Sequence, residues 1–397
     1  MQLSEEVRLI RDMVDEFGQK EVMDIGYAEL EPKGEFPEEF VKKISDMGLM
    51  GISFPEEYGG MGMDTMATSV VGERLAFYWP SLQLIWSANV SLAGFPIMIF
   101  GNKDQKQRFL PNLASGKILG CYALTEPDAG SDAANIKTTA EIKGQPDLWV
   151  LNGTKTFITN ATNASVGVVF ARVVSKKKSK KRHQGITAFL LSAEEPGLKR
   201  KQNILAYPPE KITVRKIDKW GLRCSDFCEI ILEDVHIAEG NVLGEVGGGF
   251  RIAMETLNNG RINIAAQAVG IARRALHEMK EYARSRKVFD KRLMAIDEKV
   301  KKIAWLETQV EAAWLMVLRA SQAKDGGGDY RVEASQAKLF ASRVAKETAD
   351  FFSEFAGGVG YTLEYIAERI HQDARATVIY EGTSDIQELV IAKSFRD

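Results

Sequence analysis

Hydrophobic residues recur at helical spacing in the first and last thirds of the chain, but not in its middle. Leu9, Met13 and Phe17 lie four positions apart near the beginning, and similar apolar stripes return after the middle third. Apolar residues three or four positions apart lie on one face of a helix. The pattern therefore predicts an N-terminal helical domain over residues 1–120 and a C-terminal helical bundle over residues 241–397.

The middle of the chain, residues 121–240, contains short β-branched runs separated by Gly, Asn, Asp and Pro. Residues 166–170 and 186–191 are examples. Such runs predict a compact β-domain, so the expected fold class is mainly α with a central β-domain. A basic run at 176–182 lies between two of these runs. It is either a solvated hairpin tip or an electrostatic attraction for a phosphate-bearing substrate.

Composition and charge exclude several functions. The 397 residues carry a net charge of −2, so we expect neither nucleic acid nor a membrane surface as the main partner. We expect no membrane span, since no apolar run approaches the roughly 20 residues required. The acidic, amphipathic N-terminus is unlike a signal or transit peptide. Three cysteines are too few for a disulfide framework, which favours the cytoplasm.

Motifs for metal ions and dinucleotides are missing from the sequence. It contains no HExxH, no paired CxxC and no Walker loop, and its four histidines are scattered. We therefore predict no metal site. Gly357 and Gly358 begin a glycine-rich turn, but a helix precedes this turn and no strand does. A helix C-cap is a better interpretation than a dinucleotide-binding loop.

Two polar turns are the strongest candidates for chemistry. Residues 122–132 form either a loop that offers N–H groups to an anion or polar ring, or an ordinary corner after a strand. Residues 380–387 contain Glu381, and Ser384 with Gln387 fits a capping box, which predicts that a helix begins there. Taken alone, a carboxylate in the position of Glu381 is more often a surface residue than a catalyst.

Taken together, these segments resemble the acyl-CoA dehydrogenase family over essentially the full chain. The matching motifs are LTEPDAGSD at 124–132, NGTKTFITNA at 152–161, KWGLRCSD at 219–226, GRINIAAQAVGIA at 260–272, YARSRKVFDKRL at 282–293, GGVGYTLEY at 357–365 and IYEGTSDIQ at 379–387. The resemblance implies a helical domain, a β-barrel-like domain and a C-terminal four-helix bundle. It also implies a homotetramer, non-covalent FAD, an acyl-CoA substrate and electron-transferring flavoprotein as the acceptor.

The resemblance further implies which residues contact FAD and substrate. The positions near the flavin ring are Tyr122, Leu124, Thr125, Gly130, Ser131, Phe157 and Thr159. Arg286 and Phe289 correspond to positions through which a neighbouring subunit holds the FAD diphosphate and adenosine. Further FAD contacts are implied for Gly357, Gly358, Thr383 and Asp385. The implied substrate contacts are Ser131, Arg261, Tyr380 and Gly382.

The resemblance assigns the catalytic base to Glu381. In the family, a glutamate removes an α-proton from the acyl-CoA thioester while a hydride leaves the β-carbon for flavin N5. Some members carry this base on the helix around residue 260, where this chain has Gly260 and therefore no side chain that could act. Burial beneath an apolar acyl chain should raise the pKa of Glu381 toward neutral pH.

The acyl group is expected to be uncharged. In the resembled family, glutaryl-CoA dehydrogenases hold a distal carboxylate with an arginine, but residues 83–89 here contain no cation, and an unpaired buried carboxylate is costly. Trp86 suggests a bulky wall, which favours a short, branched or alicyclic acyl group. The alternatives are a glutaryl-type or cyclic-dienoyl-forming dehydrogenase, an acyl-CoA oxidase, or, least favoured, a non-catalytic flavin-binding scaffold.

One stretch, residues 198–219, is longer than is usual in the resembled family. It forms either an added surface loop or a contact with a partner.

Overall fold

The first part of the chain folds into helices that pack on one another. The computed structural model describes residues 3–23, 25–143, 148–175, 181–192 and 211–396. The N-terminal helices are α1 (Glu5–Phe17), α2 (Glu38–Asp46), α3 (Thr65–Tyr78), α4 (Pro80–Ser87), α5 (Phe95–Phe100) and α6 (Lys103–Ala114). The helical N-terminal part predicted from periodicity is therefore confirmed.

Helix α1 shows why spacing alone misplaced a buried face. Its buried residues are Val7, Ile10, Val14 and Phe17, separated by three, four and three positions. That alternation follows the 3.6-residue turn. The expected stripe of Leu9, Met13 and Phe17 used a constant spacing of four, which drifts around the helix, and Leu9 is 64% exposed. The prediction that Leu9 belongs to the buried face was wrong.

The middle of the chain forms one mainly antiparallel sheet. Its strands are β1 (Leu119–Ala123), β2 (Thr139–Ile142), β3 (Leu148–Ile158), β4 (Ala164–Val173), β5 (Ile186–Ser192), β6 (Ile212–Lys216), β7 (Cys228–Ala238) and β8 (Val242–Leu243). The order is β6-β7-β3-β2-β4-β5-β8, and β1 pairs with β4 in parallel. Every residue of β5 is buried, which fits a strand covered on both faces.

The last part of the chain returns to helices, as predicted. These are α7 (Gly249–Ser285), α8 (Asp297–Asp325), α9 (Arg331–Ala356), α10 (Ile366–Ala376) and α11 (Ser384–Lys393), and a short hairpin, β9 (Lys287–Val288) with β10 (Lys291–Arg292), follows α7. Helix α9 ends at Ala356 and its C-cap is Gly357, which has a φ of 66°, so the predicted glycine C-cap is confirmed.

The described residues form two hydrophobic cores. One core joins the N-terminal helices to the C-terminal bundle, and the other lies within the sheet. Helix α3 approaches α7 so closely that a Cβ on Gly270 would overlap the Glu73 carbonyl oxygen. The helical ends of the chain therefore form one packed body, from which α7 carries its residues toward the sheet.

A buried carboxylate connects three parts of the fold next to the candidate site. Asp373 of α10 accepts hydrogen bonds from the Tyr27 hydroxyl at 2.8 Å and the Leu222 N–H at 2.6 Å. Burial raises the pKa of Asp373 well above its ordinary value. These contacts fix α10, and with it the start of the chain segment that leads to Glu381.

One helical run is apolar enough to resemble a membrane span. Residues Pro80–Phe100 have a mean hydropathy of 1.4 over a window long enough to cross a bilayer. The prediction that no apolar run approaches this length did not include this segment. However, 83% of that window is buried inside the fold. Packing in the helical core therefore accounts for its apolar character.

Two sequence features lie largely outside the described residues. Residues 176–180 of the basic run are not described, although the strands on either side, β4 and β5, pair in antiparallel fashion. At the described end of the run, Arg182 forms an exposed ion pair with Asp132 at 3.2 Å. Residues 198–210 of the long stretch also lie outside the description.

Candidate active site

Glu381 lies in a tight turn immediately before α11. It has a φ of 50° and Gly382 a φ of 94°, so two consecutive residues are left-handed. The N-cap of α11 is Thr383, whose hydroxyl accepts the Ile386 N–H at 3.4 Å. The predicted cap at Ser384 was therefore wrong by one residue, because the left-handed turn ends earlier than the capping-box spacing suggested.

The Glu381 carboxylate is directed against the backbone of α7. A Cβ placed on Gly260 would overlap its Oε2 atom. This Oε2 is shielded from solvent and has no hydrogen-bond partner among the described residues. Burial raises the pKa of Glu381 to about 7, and the cations Lys338 and Arg261 oppose that rise. The result is a buried carboxylate with a free oxygen, which is what a general base requires.

Two buried cations lie beside this carboxylate. Lys338 of α9 is fully buried, and its Nζ donates to the Gly382 carbonyl oxygen at 2.6 Å. Arg261 of α7 is also buried and donates from Nη1 to Asn258 at 2.8 Å and Ser335 at 3.3 Å. Our sequence analysis assigned Arg261 to the substrate but missed Lys338.

Two tyrosines predicted for the site are indeed close to Glu381. Burial raises the pKa of Tyr122 well above its ordinary value, and the Glu381 charge adds to the effect. Tyr380 shows the same two causes, burial first, and its hydroxyl bonds with Gln267 of α7. The structure therefore brings Tyr122, Tyr380, Arg261 and Gly382 together around Glu381.

A buried ion pair between Lys155 and Glu126 anchors the loop that follows β1. Lys155 of β3 is fully buried, and its Nζ donates to Glu126 at 2.7 Å and to the Leu124 carbonyl at 3.2 Å. Glu126 also accepts the Thr138 N–H at 3.0 Å. The Thr125 carbonyl accepts the N–H of Thr156 at 2.9 Å. The predicted loop is thus fixed at its start, whereas Gly130 and Ser131 are exposed.

Replacing Lys155 by Met should destabilise the protein by about 3–5 kcal/mol, because Glu126 would remain buried without its partner. We also expect less bound FAD, since the loop that carries Leu124 loses its anchor. Urea unfolding and the flavin content of purified protein measure both effects. The matched control is Lys137→Met, which removes an exposed pair with Asp128 and should change little. Equal stability of the two variants would contradict the prediction.

Phe157 is the second-last residue of β3, and Thr159 directly follows this strand. Phe157 has a φ of 63° and is 54% exposed. One face of its ring stacks on Phe227, with the centroids 4.9 Å apart and the planes 13° from parallel. A left-handed, half-exposed aromatic residue is unusual. The arrangement leaves part of the ring open to a flat ligand.

The residues predicted for the adenosine end lie far from Glu381 within one chain. Arg286 directly follows α7 and comes 26 residues after Gly260. At the helical rise of 1.5 Å per residue, the two residues are about 39 Å apart. Tyr282, near Arg286, donates to the Ala356 carbonyl at 3.2 Å, so Gly357 lies at the same end of the bundle. Phe289 is 96% exposed. These residues cannot complete the Glu381 site of their own chain.

The remaining residues predicted to contact FAD are exposed or half-buried. A Cβ on Gly130, Gly357 or Gly358 would meet no atom within 4 Å. Thr383 is half-buried as the N-cap, and Asp385 is exposed in the first turn of α11. Gly130 and the open ring of Phe157 leave room for a flat ligand such as the ring of FAD, whereas Gly357 and Gly358 lie at the other end of the bundle.

Models of three domains match nearly the whole chain. They are "Acyl-CoA dehydrogenase, N-terminal domain" at residues 4–117, "Acyl-CoA dehydrogenase, middle domain" at 121–235 and "Acyl-CoA dehydrogenase, C-terminal domain" at 247–395. The chain therefore belongs to the acyl-CoA dehydrogenase family, and the resemblance drawn from its motifs is confirmed.

Individual relatives agree over the full length. The "Short-chain specific acyl-CoA dehydrogenase, mitochondrial" of Rattus norvegicus is 40% identical over 99% of this chain and 90% of its own. Butyryl-CoA dehydrogenase from Megasphaera elsdenii has a TM-score of 0.91 and 36% identity, with both chains covered completely. A chain in the structure described as "Electron transferring flavoprotein of Acidaminococcus fermentans: Towards a mechanism of flavin-based electron bifurcation" has a TM-score of 0.92 and 37% identity, also over both full chains.

The protein is an FAD-dependent acyl-CoA dehydrogenase, an oxidoreductase, and its relatives include a short-chain specific acyl-CoA dehydrogenase and a butyryl-CoA dehydrogenase. The expected fold class is confirmed with it, because the helical, β and helical parts match those of the solved relatives.

Proposed function

We propose that this enzyme oxidises a short, uncharged acyl-CoA at its α and β carbons, and that Glu381 removes the α-proton. The observation that carries the proposal is the carboxylate above Gly260, with an Oε2 that has no partner among the described residues. Its pKa of about 7 makes it a stronger base than an ordinary glutamate, while about half of the molecules remain ionised at neutral pH.

In this reaction the polypeptide orients the thioester, supplies charge and excludes water. We assign the backbone N–H of Glu381 to the thioester carbonyl, where a hydrogen bond stabilises the enolate that develops as the proton leaves. The half-buried Tyr122 and Tyr380 help to keep water from the carboxylate, which keeps its pKa raised. When bound, FAD supplies the acceptor for the two electrons that leave with the β-hydrogen.

Three observations support an uncharged acyl group. Lys338 donates to Gly382 and Lys324 to Asn259 at 2.5 Å, so both ammonium groups are already engaged and not left for the distal carboxylate of a glutaryl group. Arg261 donates from Nη1 to Asn258, while its Nε has no partner among the described residues. The short-chain relatives favour a small linear acyl group over a branched or alicyclic one.

Trp86 does not decide the substrate. Its side chain is fully buried, and its indole N–H donates to the Leu49 carbonyl at 2.8 Å. It also lies in contact with the position of Gly72 on α3. These contacts account for Trp86 through packing of the helical core, so the proposal for a short acyl group rests on the relatives and on the engaged cations.

A panel of CoA thioesters tests the proposed substrate. We expect butyryl-CoA to reduce the flavin with a kcat/KM at least tenfold higher than octanoyl-CoA, since each misfitted methylene costs about 1–3 kcal/mol. Glutaryl-CoA should be slower still, because its carboxylate would be buried without a partner. Bleaching at about 450 nm, where the oxidised flavin itself absorbs, measures the rates. Faster bleaching by glutaryl-CoA or cyclohexanecarbonyl-CoA would overturn the proposed specificity.

We further propose electron-transferring flavoprotein as the acceptor and a homotetramer in the cytoplasm. The Acidaminococcus fermentans structure supports electron-transferring flavoprotein as the acceptor, and oxygen consumption without added acceptor distinguishes an oxidase.

The separation of about 39 Å along α7 supports an assembly in which Arg286 and Phe289 serve the Glu381 site of another copy. The three cysteines, which are buried and free, support a reducing compartment.

A further inference from the structure

Lys338 is buried where an ammonium group is expensive to place. It lies in α9 on a face of small residues that includes Ala334, Ala341 and Ala345, all buried. Removing an ammonium from water costs on the order of several kcal/mol unless partners compensate it. Its Nζ donates to the Gly382 carbonyl oxygen at 2.6 Å. A lysine retained in such a place indicates a function that alanine or leucine cannot supply.

The carbonyl that Lys338 holds is part of the turn that carries the base. Gln387 of α11, itself fully buried, donates from Nε2 to the same oxygen at 2.8 Å. Two side chains from different helices therefore fix one peptide. Glu381 needs such a contact, because a left-handed φ of 50° costs a residue with a Cβ about 1–2 kcal/mol.

The ammonium also acts on Glu381 through its charge. Burial raises the pKa of Glu381 to about 7, and Lys338 is the larger of the two cations that oppose the rise, followed by Arg261 of α7. Burial lowers the pKa of Lys338 to about 7, and the Glu381 charge opposes that fall. Each charge therefore favours the ionised form of the other group. Tyr122 of β1 and Tyr380 of the same turn also face the carboxylate.

We propose that Lys338 is a positioning residue for the catalytic base. It holds the Gly382 peptide, which fixes the direction of the Glu381 side chain over Gly260, and it provides the counter-charge that lets the buried carboxylate remain ionised between turnovers. The inference rests on the proposed function of Glu381. Lys338 acts through Glu381, because its Nζ is bound to the turn.

Two variants of the holoenzyme separate the two contributions. Lys338→Met removes the charge and the hydrogen bond, whereas Lys338→Gln removes the charge and keeps a donor. Without the cation the ionised carboxylate is less stable, so its pKa rises and activity appears only at higher pH. We expect the acid limb of flavin reduction by butyryl-CoA to move up by about one to two pH units in both. The plateau rate should be lower for Met, which leaves Gln387 as the one described donor to the Gly382 carbonyl.

The control is Lys346→Met, which alters an exposed lysine on α9 about two turns further along and should change neither limb nor plateau. An unmoved acid limb in both Lys338 variants would overturn the proposal. Loss of FAD from both would overturn it too, because Lys338 would then serve folding alone. If Glu381→Gln is reduced as fast as the wild type, the base assignment itself fails, whatever the Lys338 variants do.

Discussion

Replacing Glu381 by Gln is expected to slow flavin reduction by butyryl-CoA by about 10²–10⁴-fold, the usual contribution of a general base. The amide has nearly the same shape but cannot accept the α-proton. Substrate binding should persist, since the backbone N–H at this position is unchanged. The protein should fold and retain FAD, because a neutral amide avoids the cost of a buried charge. Stopped-flow bleaching measures the rate, and titration with substrate measures binding.

The matched control for this variant is Glu388→Gln. Glu388 lies on α11, is exposed and pairs with Arg343 on the surface. It resembles the base in chemistry and in chain position but differs in burial, so its loss should leave the rate of bleaching unchanged. A Glu381→Gln enzyme that matches this control would show that another group takes the proton.

The architecture was predictable because it depends on local periodicity. Apolar stripes predicted the helices at both ends, and β-branched runs predicted strands such as β4 and β5. The register of a face was less certain, as Leu9 shows, because a short helix tolerates spacings of three or four. The cap of α11 was also misplaced, since the left-handed pair Glu381 and Gly382 is a property of backbone dihedrals that spacing does not encode.

The catalytic position came from a motif, but its surroundings are contacts between distant parts of the chain. Gly260 lies opposite Glu381 because α7 passes beneath the turn, and no local pattern indicates that pairing. Lys338 left a weak signal, a lysine at helical spacing within the buried stripe of Ala334 and Ala341. A lysine in such a position usually marks the edge of the buried helix face, because its long side chain can reach solvent.

The separation of Arg286 from the Glu381 site follows from simple geometry once α7 is known to be continuous. The helix contains 37 residues, from Gly249 to Ser285, and a rise of 1.5 Å per residue places its ends about 55 Å apart. The sequence suggested helical faces within this segment without showing that no break occurs. Continuity of α7 therefore determines that one chain holds the base and the adenosine contacts at opposite ends of the bundle.

Gly260→Ala is expected to lower kcat/KM by about 10²-fold without loss of FAD, since displacing a reacting group by about 1 Å can have this effect. The added methyl would overlap Oε2 of Glu381, so the carboxylate must move away from the α-proton. The helix itself should not suffer, because alanine is favoured over glycine in a helix interior by about 1 kcal/mol. Steady-state kinetics and thermal unfolding measure the two quantities separately.

A second glycine of the same helix gives the opposite expectation and so isolates the cause. Gly270→Ala would bring a methyl against the Glu73 carbonyl of α3, so it should destabilise the core and leave the remaining folded enzyme active. On a Glu381→Gln background, Gly260→Ala should have no further effect, because the group it displaces no longer takes a proton. An additive loss in that double variant would mean that Gly260 acts on something other than the base.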